Sequence, residues 1–224
     1  MAIRLADSRC GSGPLLVCHP GGPGLHPDYL APLEALSTYR TVVTLHPRGT
    51  GRSPKPSVRG AYDLTEYVTD LISWIEQETD GGPVDLLGHS HGGIVSILVA
   101  IQRPDMVRRL VLLATPAYGG SNADTQVFEG QNVRTSDPAM AEALNALERH
   151  GNSIPADSYV LAQLIADILP LWMGPNTHSR AEWQRRFARL PANPDALHHF
   201  NNSIYPSLGI ALQDLREMRT PTLR

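Results

Sequence analysis

The chain has 224 residues, of which 42% are hydrophobic and 18% charged, and its formal net charge is −3. That balance describes a globular domain with enough apolar material for a substantial core, and it excludes a disordered chain. A slightly acidic total with no Lys/Arg block also gives no electrostatic footprint for nucleic acid.

Met1 to Ser8 lack the basic-then-apolar pattern of a signal peptide, and no apolar run approaches the length of a membrane span. A cytoplasmic setting without membrane contact is therefore expected. The two cysteines, Cys10 and Cys18, read as reduced thiols, one buried and one incidental.

In chain order, residues 2–7 suit a short strand and Gly11 to Pro14 a turn. Leu15-Leu16-Val17-Cys18 is a continuous apolar run, as a strand covered on both faces requires. It leaves through His19-Pro20-Gly21-Gly22-Pro23-Gly24, too rich in Gly and Pro for regular structure. A modest helix is predicted over residues 28–36.

Thr41 to Leu45 is a β-branched strand, and its exit is the glycine-punctuated stretch Arg48-Gly49-Thr50-Gly51-Arg52-Ser53. Asp63 and Glu66 mark a helix start, followed by the apolar stripe Leu64, Tyr67, Val68, Leu71, Trp74 and Ile75. Next comes the stretch that organises the chain, Val84-Asp85-Leu86-Leu87-Gly88-His89-Ser90-His91-Gly92-Gly93. A strand pattern enters Gly-x-Ser-x-Gly and a helical pattern leaves it over Ile94 to Gln102, the context of a nucleophile elbow. Ser90 is read as the nucleophile.

Arg103-Pro104 stops that helix, and Arg109 to Ala114 is a further strand. Strands alternating with helices predict a mostly parallel sheet with helices on both faces. From Ala117 onward the texture is helical, with segments predicted over 139–149, 159–169, 180–190 and 209–218. This gives an α/β core over residues 1–116 and a helical cap over 117–219. Residues 220–224, Thr220-Pro221-Thr222-Leu223-Arg224, read as the start of a core strand.

The ordered motifs resemble the α/β-hydrolase superfamily, within it the prolyl-aminopeptidase-like (proline iminopeptidase) and esterase branch. The resemblance rests on Gly21-Gly22-Pro23-Gly24, the Arg48 to Ser53 loop, the Gly88 to Gly93 elbow, Arg103-Pro104-Asp105-Met106-Val107 with Leu110-Val111-Leu112, and Thr220 to Leu223. It implies an α/β-hydrolase fold, and an oxyanion hole formed by the backbone amides of Gly22 and His91. It implies no cofactor.

Several positions depart from the branch. Pro20 stands where relatives have His before Gly-Gly-Pro-Gly, His46 where many have Asp, and His91 where proline iminopeptidases have Trp. Those departures favour the broader esterase label. In the family the triad acid and then its His follow the serine, beyond the strand that Thr220 to Leu223 resembles. The chain stops at Arg224, so the resemblance implies truncation, with final strands missing.

Other histidines and carboxylates are candidates for that gap. His89 and His91 flank the serine on a tight turn that aims their side chains away from its hydroxyl, and His198 and His199 lie in the predicted cap. His19 and His46 end strands, where structural hydrogen bonds are expected, and Asp124 is an alternative acid read chiefly as a surface carboxylate. His89-x-His91 is an isolated pair, so no metal site is expected.

Two readings of function stand. One is a serine hydrolase of small esters, amides or short peptides, N-terminal prolyl peptides among them, working through an acyl-enzyme on Ser90. The other is a truncated, non-catalytic hydrolase-like protein lacking the acid and His. An uncovered sheet edge would also drive homo-oligomers or poor solubility.

Overall fold

The computed structural model describes residues 2–57, 61–120, 137–151, 153–173, 177–210 and 212–223. Six strands form one sheet: β1 (Ala6–Cys10), β2 (Leu15–His19), β3 (Thr41–His46), β4 (Val84–His89), β5 (Val107–Leu113) and β6 (Thr222–Leu223). Their spatial order is β1-β3-β2-β4-β5-β6, with β1 antiparallel to β3 and every other pairing parallel.

Because successive side chains point to opposite faces of a strand, the central strands are apolar throughout and supply two cores. Val17, Val43, Leu45 and Leu86 face one core, which α1 (Leu64–Thr79) and α2 (His91–Gln102) cover with Leu71, Ile75, Val95 and Val99. Leu16, Cys18, Val42 and Leu87 face the other, under Tyr29 and Leu30. The stripe read from the sequence is the buried face of α1, Leu64 being its half-buried member.

Local segments differ from expectation in three places. The first strand is Ala6–Cys10 and not 2–7, because its register is set by antiparallel pairing from Ala6 opposite His46 to Cys10 opposite Val42. The preceding residues are pinned elsewhere: Ile3 N–H donates to Asp70 Oδ1 at 2.8 Å, and Leu5 is buried.

The segment predicted as an α-helix at 28–36 is a 3₁₀ helix over Pro27–Thr38, with Pro32 inside it. Proline has no N–H to donate and clashes with the preceding turn, which disfavours the α form. Residues 194–207 were not predicted helical, yet they form α6 (Pro194–His199), a π-helical turn (Phe200–Ile204) and a 3₁₀ turn (Tyr205–Ser207).

The remaining helices, α3 (Pro138–Arg149), α4 (Ser158–Ile168), α5 (Thr177–Ala188) and α7 (Leu212–Glu217), follow β5 in sequence. Asp137, Asp157 and Asn193 cap α3, α4 and α6 with side-chain oxygens, satisfying first-turn amides. Met140, Ala143 and Ala146 of α3 pack on Leu164 and Ile168 of α4.

This helical layer is tied to α2 by apolar contact of Ile94 with Phe200, Ile204 and Leu208. Asn193 adds hydrogen bonds: its N–H donates to Gly24 O at 2.8 Å, and its Nδ2 to Gly49 O at 3.0 Å and Tyr62 Oη at 2.9 Å. On the β5–β6 side of the sheet Leu113 and Leu223 are both exposed. The oligomer expectation rests on that surface. No described helix is long and apolar enough to cross a membrane.

Candidate active site

The strand order places the site. The chain runs from β2 to β3 on one side, then returns to set β4 against the other side of β2. The carboxyl ends of β2 and β4 therefore flank a topological switch point, where open α/β sheets leave a crevice for ligands. Two loops meet there: Pro20 to Gly24 after β2, and the Gly88 to Gly93 turn after β4.

Ser90 occupies the turn with φ 51° and ψ −119°, in the positive-φ region that is strained for a residue with a side chain. Its N–H donates to Leu113 O at 2.9 Å, and its carbonyl accepts from Gly93 N–H at 2.9 Å, so β5 and the first turn of α2 both brace the conformation. Glycine is obligatory at 88, because a Cβ there would lie 2.4 Å from Gly93 Cα. In the facing loop Gly22 has φ 126°, a conformation that L side chains rarely adopt. The amide of His91 belongs to the first turn of α2, where N–H groups lack intrahelical acceptors and the helix dipole favours negative charge.

The histidines that flank Ser90 are both kept neutral by burial. Tyr29 Oη accepts from Gly21 N–H at 2.7 Å and lies 2.6 Å from His89 Nδ1. The phenol thus links the Gly21 amide to the His89 ring. Burial pushes His89 below its ordinary pKa.

His91 points into the core, edge-on to Tyr67 at 4.8 Å and to Phe200 at 5.4 Å, and burial lowers its pKa to about 3. His19 beside it is lowered to about 4, again by burial, and its Nδ1 lies 2.9 Å from Pro20 O.

The other candidate residues do not converge on the serine. His46 Nε2 lies 3.1 Å from Ser8 Oγ, and its Nδ1 accepts from Arg52 N–H at 2.9 Å. His199 Nε2 lies 2.6 Å from Asp63 Oδ1, bracing α6 against the start of α1, and His198 is exposed. Asp124 lies outside the described residues. Among the described residues no side chain hydrogen-bonds Ser90 Oγ, and no group of three or more His, Cys, Asp or Glu side chains is placed to hold a metal ion.

Ser90 lies where two cavities meet. One, of about 630 Å³, runs beneath α4 and α5 and is walled by Tyr29, Leu33, Trp172, Trp183 and Phe187. The other, of about 470 Å³, extends past α3 and the π-helical turn, and reaches His150, Ser153, Asn201 and Tyr205. Ser90, Gly22, Leu25, Ile165 and Trp172 line both.

Sequence reading placed helices over the site but singled out none of these wall residues. His150, which shares a cavity with the serine, was also passed over, since it stands at a helix end with no motif around it.

RutD of Rhizobium rhizogenes, assigned as a carbamate hydrolase, is 27% identical over 208 residues, spanning 91% of this chain and 69% of that protein. Proline iminopeptidase of Saccharolobus solfataricus is 35% identical over 103 residues, 46% of this chain and 33% of its own length. The crystal structure of a hydrolase from Pseudomonas aeruginosa superposes with a TM-score of 0.60 at 24% identity, covering 97% of this chain and 74% of that one. The family model for the alpha/beta hydrolase fold matches residues 14–193. With most of its length inside that match and the elbow geometry in place, the chain belongs to the α/β-hydrolase family.

Proposed function

We propose that this chain is a serine hydrolase of small esters or amides, in which Ser90 is the nucleophile and the backbone amides of Gly22 and His91 receive the oxyanion. The observation that carries the reading is the strained Ser90 backbone at the mouth of two cavities, beneath a helical layer. Strain of this kind persists only where the surroundings over-determine it, and here it holds a hydroxyl above the sheet at the switch point.

The reaction has two halves. Ser90 Oγ attacks the scissile carbonyl, giving up its proton to a base, and the carbonyl oxygen gains negative charge facing the two amides. The bond to the leaving alcohol or amine then breaks and that group departs with a proton. Water adds to the acyl-serine and releases the acid, freeing the hydroxyl. Esters, amides and short peptides, N-terminal prolyl peptides among them, all present the required carbonyl.

A second reading has its own observation. No described side chain hydrogen-bonds Ser90 Oγ, so a hydrolase-like binding protein without acyl transfer is the alternative. A fluorophosphonate probe separates the two. Labelling of the folded wild-type chain that disappears in Ser90→Ala supports the hydrolase. Folded protein that stays unlabelled supports the binding protein.

A further inference from the structure

The charge pattern of the paired cavities narrows the substrate class, on the reading that Ser90 is the nucleophile. Among the described residues that line them, none is Asp, Glu, Lys or Arg. This is not a shortage of charge in the chain, which carries 41 such residues. Elsewhere such residues pair with one another: Arg48 with Asp70, Lys55 with Asp195, and Arg180 with Asp137. Two of the polar groups lining the larger cavity, Tyr29 Oη and His89 Nδ1, bond to each other.

Its walls are aromatic. Phe187 stacks on Tyr29 at 5.4 Å with the planes 26° apart, and Trp183 lies 6.1 Å from Phe187. Flat walls of this kind suit a ring, through offset or edge contacts. An ammonium or carboxylate moved from water into such a space without a counter-charge loses several kcal/mol of hydration. The smaller cavity adds His150, Ser153 and Asn201 as hydrogen-bonding side chains, with no Asp, Glu, Lys or Arg among its described lining.

We propose that the site takes a substrate uncharged on both sides of its scissile carbonyl, with an aromatic or bulky apolar group in the larger cavity and a neutral, hydrogen-bonding group in the smaller. A peptide with a free N-terminal proline brings a cation for which the described lining holds no carboxylate, so esters and blocked amides of neutral aryl groups fit better.

The test uses the Ser90→Ala chain, so that binding is read without turnover. Calorimetric titration compares 1-naphthylacetamide, 1-naphthylacetate and 1-naphthylmethylammonium, which share one ring and differ in charge. Tighter binding of the neutral amide by about tenfold or more, worth about 1.4 kcal/mol, supports the proposal. Equal or tighter binding of either ion overturns it, and so does failure of all three to bind.

A carboxylate placed on the wall, Met173→Glu in the same background, is expected to shift preference toward the ammonium. An unchanged ranking in that variant would also count against the proposal. The nucleophile reading fails separately: a wild-type chain that binds the neutral ligand but resists the fluorophosphonate keeps the pocket assignment and loses Ser90.

Discussion

Two glycine-rich turns leave the same end of the sheet on either side of β2, and they are held by opposite means. The turn after β3 is anchored by charge. Arg48, 1% exposed, donates through Nε and Nη2 to the two oxygens of Asp70 at 2.8 Å each, and its guanidinium also reaches the backbone oxygens of Ala61 and Glu66. The turn after β4 carries no ion pair. It is held by close backbone contact at Gly88, by backbone bonds to Ser90, and by neutral rings, with His91 and His19 packed beside Tyr67. A buried ion pair fixes a loop firmly, but it places a field nearby. The loop that borders the cavities is built without one, which leaves an uncharged surface for ligand.

Acid should break the neutral half of that contrast first. His19 and His91 stay unprotonated in the folded chain until about pH 4 and 3, whereas in the unfolded chain they take up protons below about 6.5. The unfolded state therefore binds more protons in between, so stability falls as pH drops from about 6.5 toward 4, by several kcal/mol in order of magnitude. Denaturant midpoints at pH 7.5, 6.0, 5.0 and 4.5 follow the loss. Constant stability down to pH 4.5 would mean that these rings are not sealed from protons.

Arg48→Met attacks the charged half. It strands Asp70, which is 1% exposed, and should cost about 3–5 kcal/mol. At about 2–4 °C per kcal/mol for a chain of this size, the melting temperature should drop by roughly 6–20 °C. A drop below about 3 °C would show that the pair is not a structural anchor.

Gly88→Ala drives a Cβ against Gly93 Cα and should cost about 1–3 kcal/mol by thermal unfolding, with weaker fluorophosphonate labelling of Ser90 as the turn shifts. Full labelling with unchanged stability would refute the close-packing argument. The smallest effect belongs to Lys55→Ala. Lys55 and Asp195 are 59% and 60% exposed, and such a pair contributes about 0–1 kcal/mol despite its 2.6 Å separation.

Much of the sheet was legible because its strands are short apolar runs closed by Gly and Pro, a pattern that local chemistry imposes whatever surrounds it. Helices with a clear stripe, such as α1, were legible for the same reason. The helix at 194–207 was not. It is short and Pro206 falls within it, a π-helical turn breaks its period, and Phe200 and Ile204 pack on Ile94. The 3₁₀ form at Pro27–Thr38 was missed because the Leu spacing there mimics an α-helix, while Pro32 disallows it. The strand-to-helix turn that carries Ser90 and the loop that carries Gly22 were legible through motifs, since a tight turn and a close loop both demand glycine at set spacings.

By itself the sequence determined the order of the strands along the chain, the helices with a clear apolar stripe and the strand-to-helix turn that carries Ser90. These follow from local sterics and from apolar periodicity, which act within a few residues. Only the tertiary structure decided which side chains surround the serine. It sent His91 into the core and tied His89 to Tyr29, 60 residues away in the chain. It also brought Trp172, Trp183 and Phe187 over a turn roughly 80 to 100 positions earlier. Such contacts depend on how whole elements pack, and no local pattern records which face of a distant helix will meet the sheet.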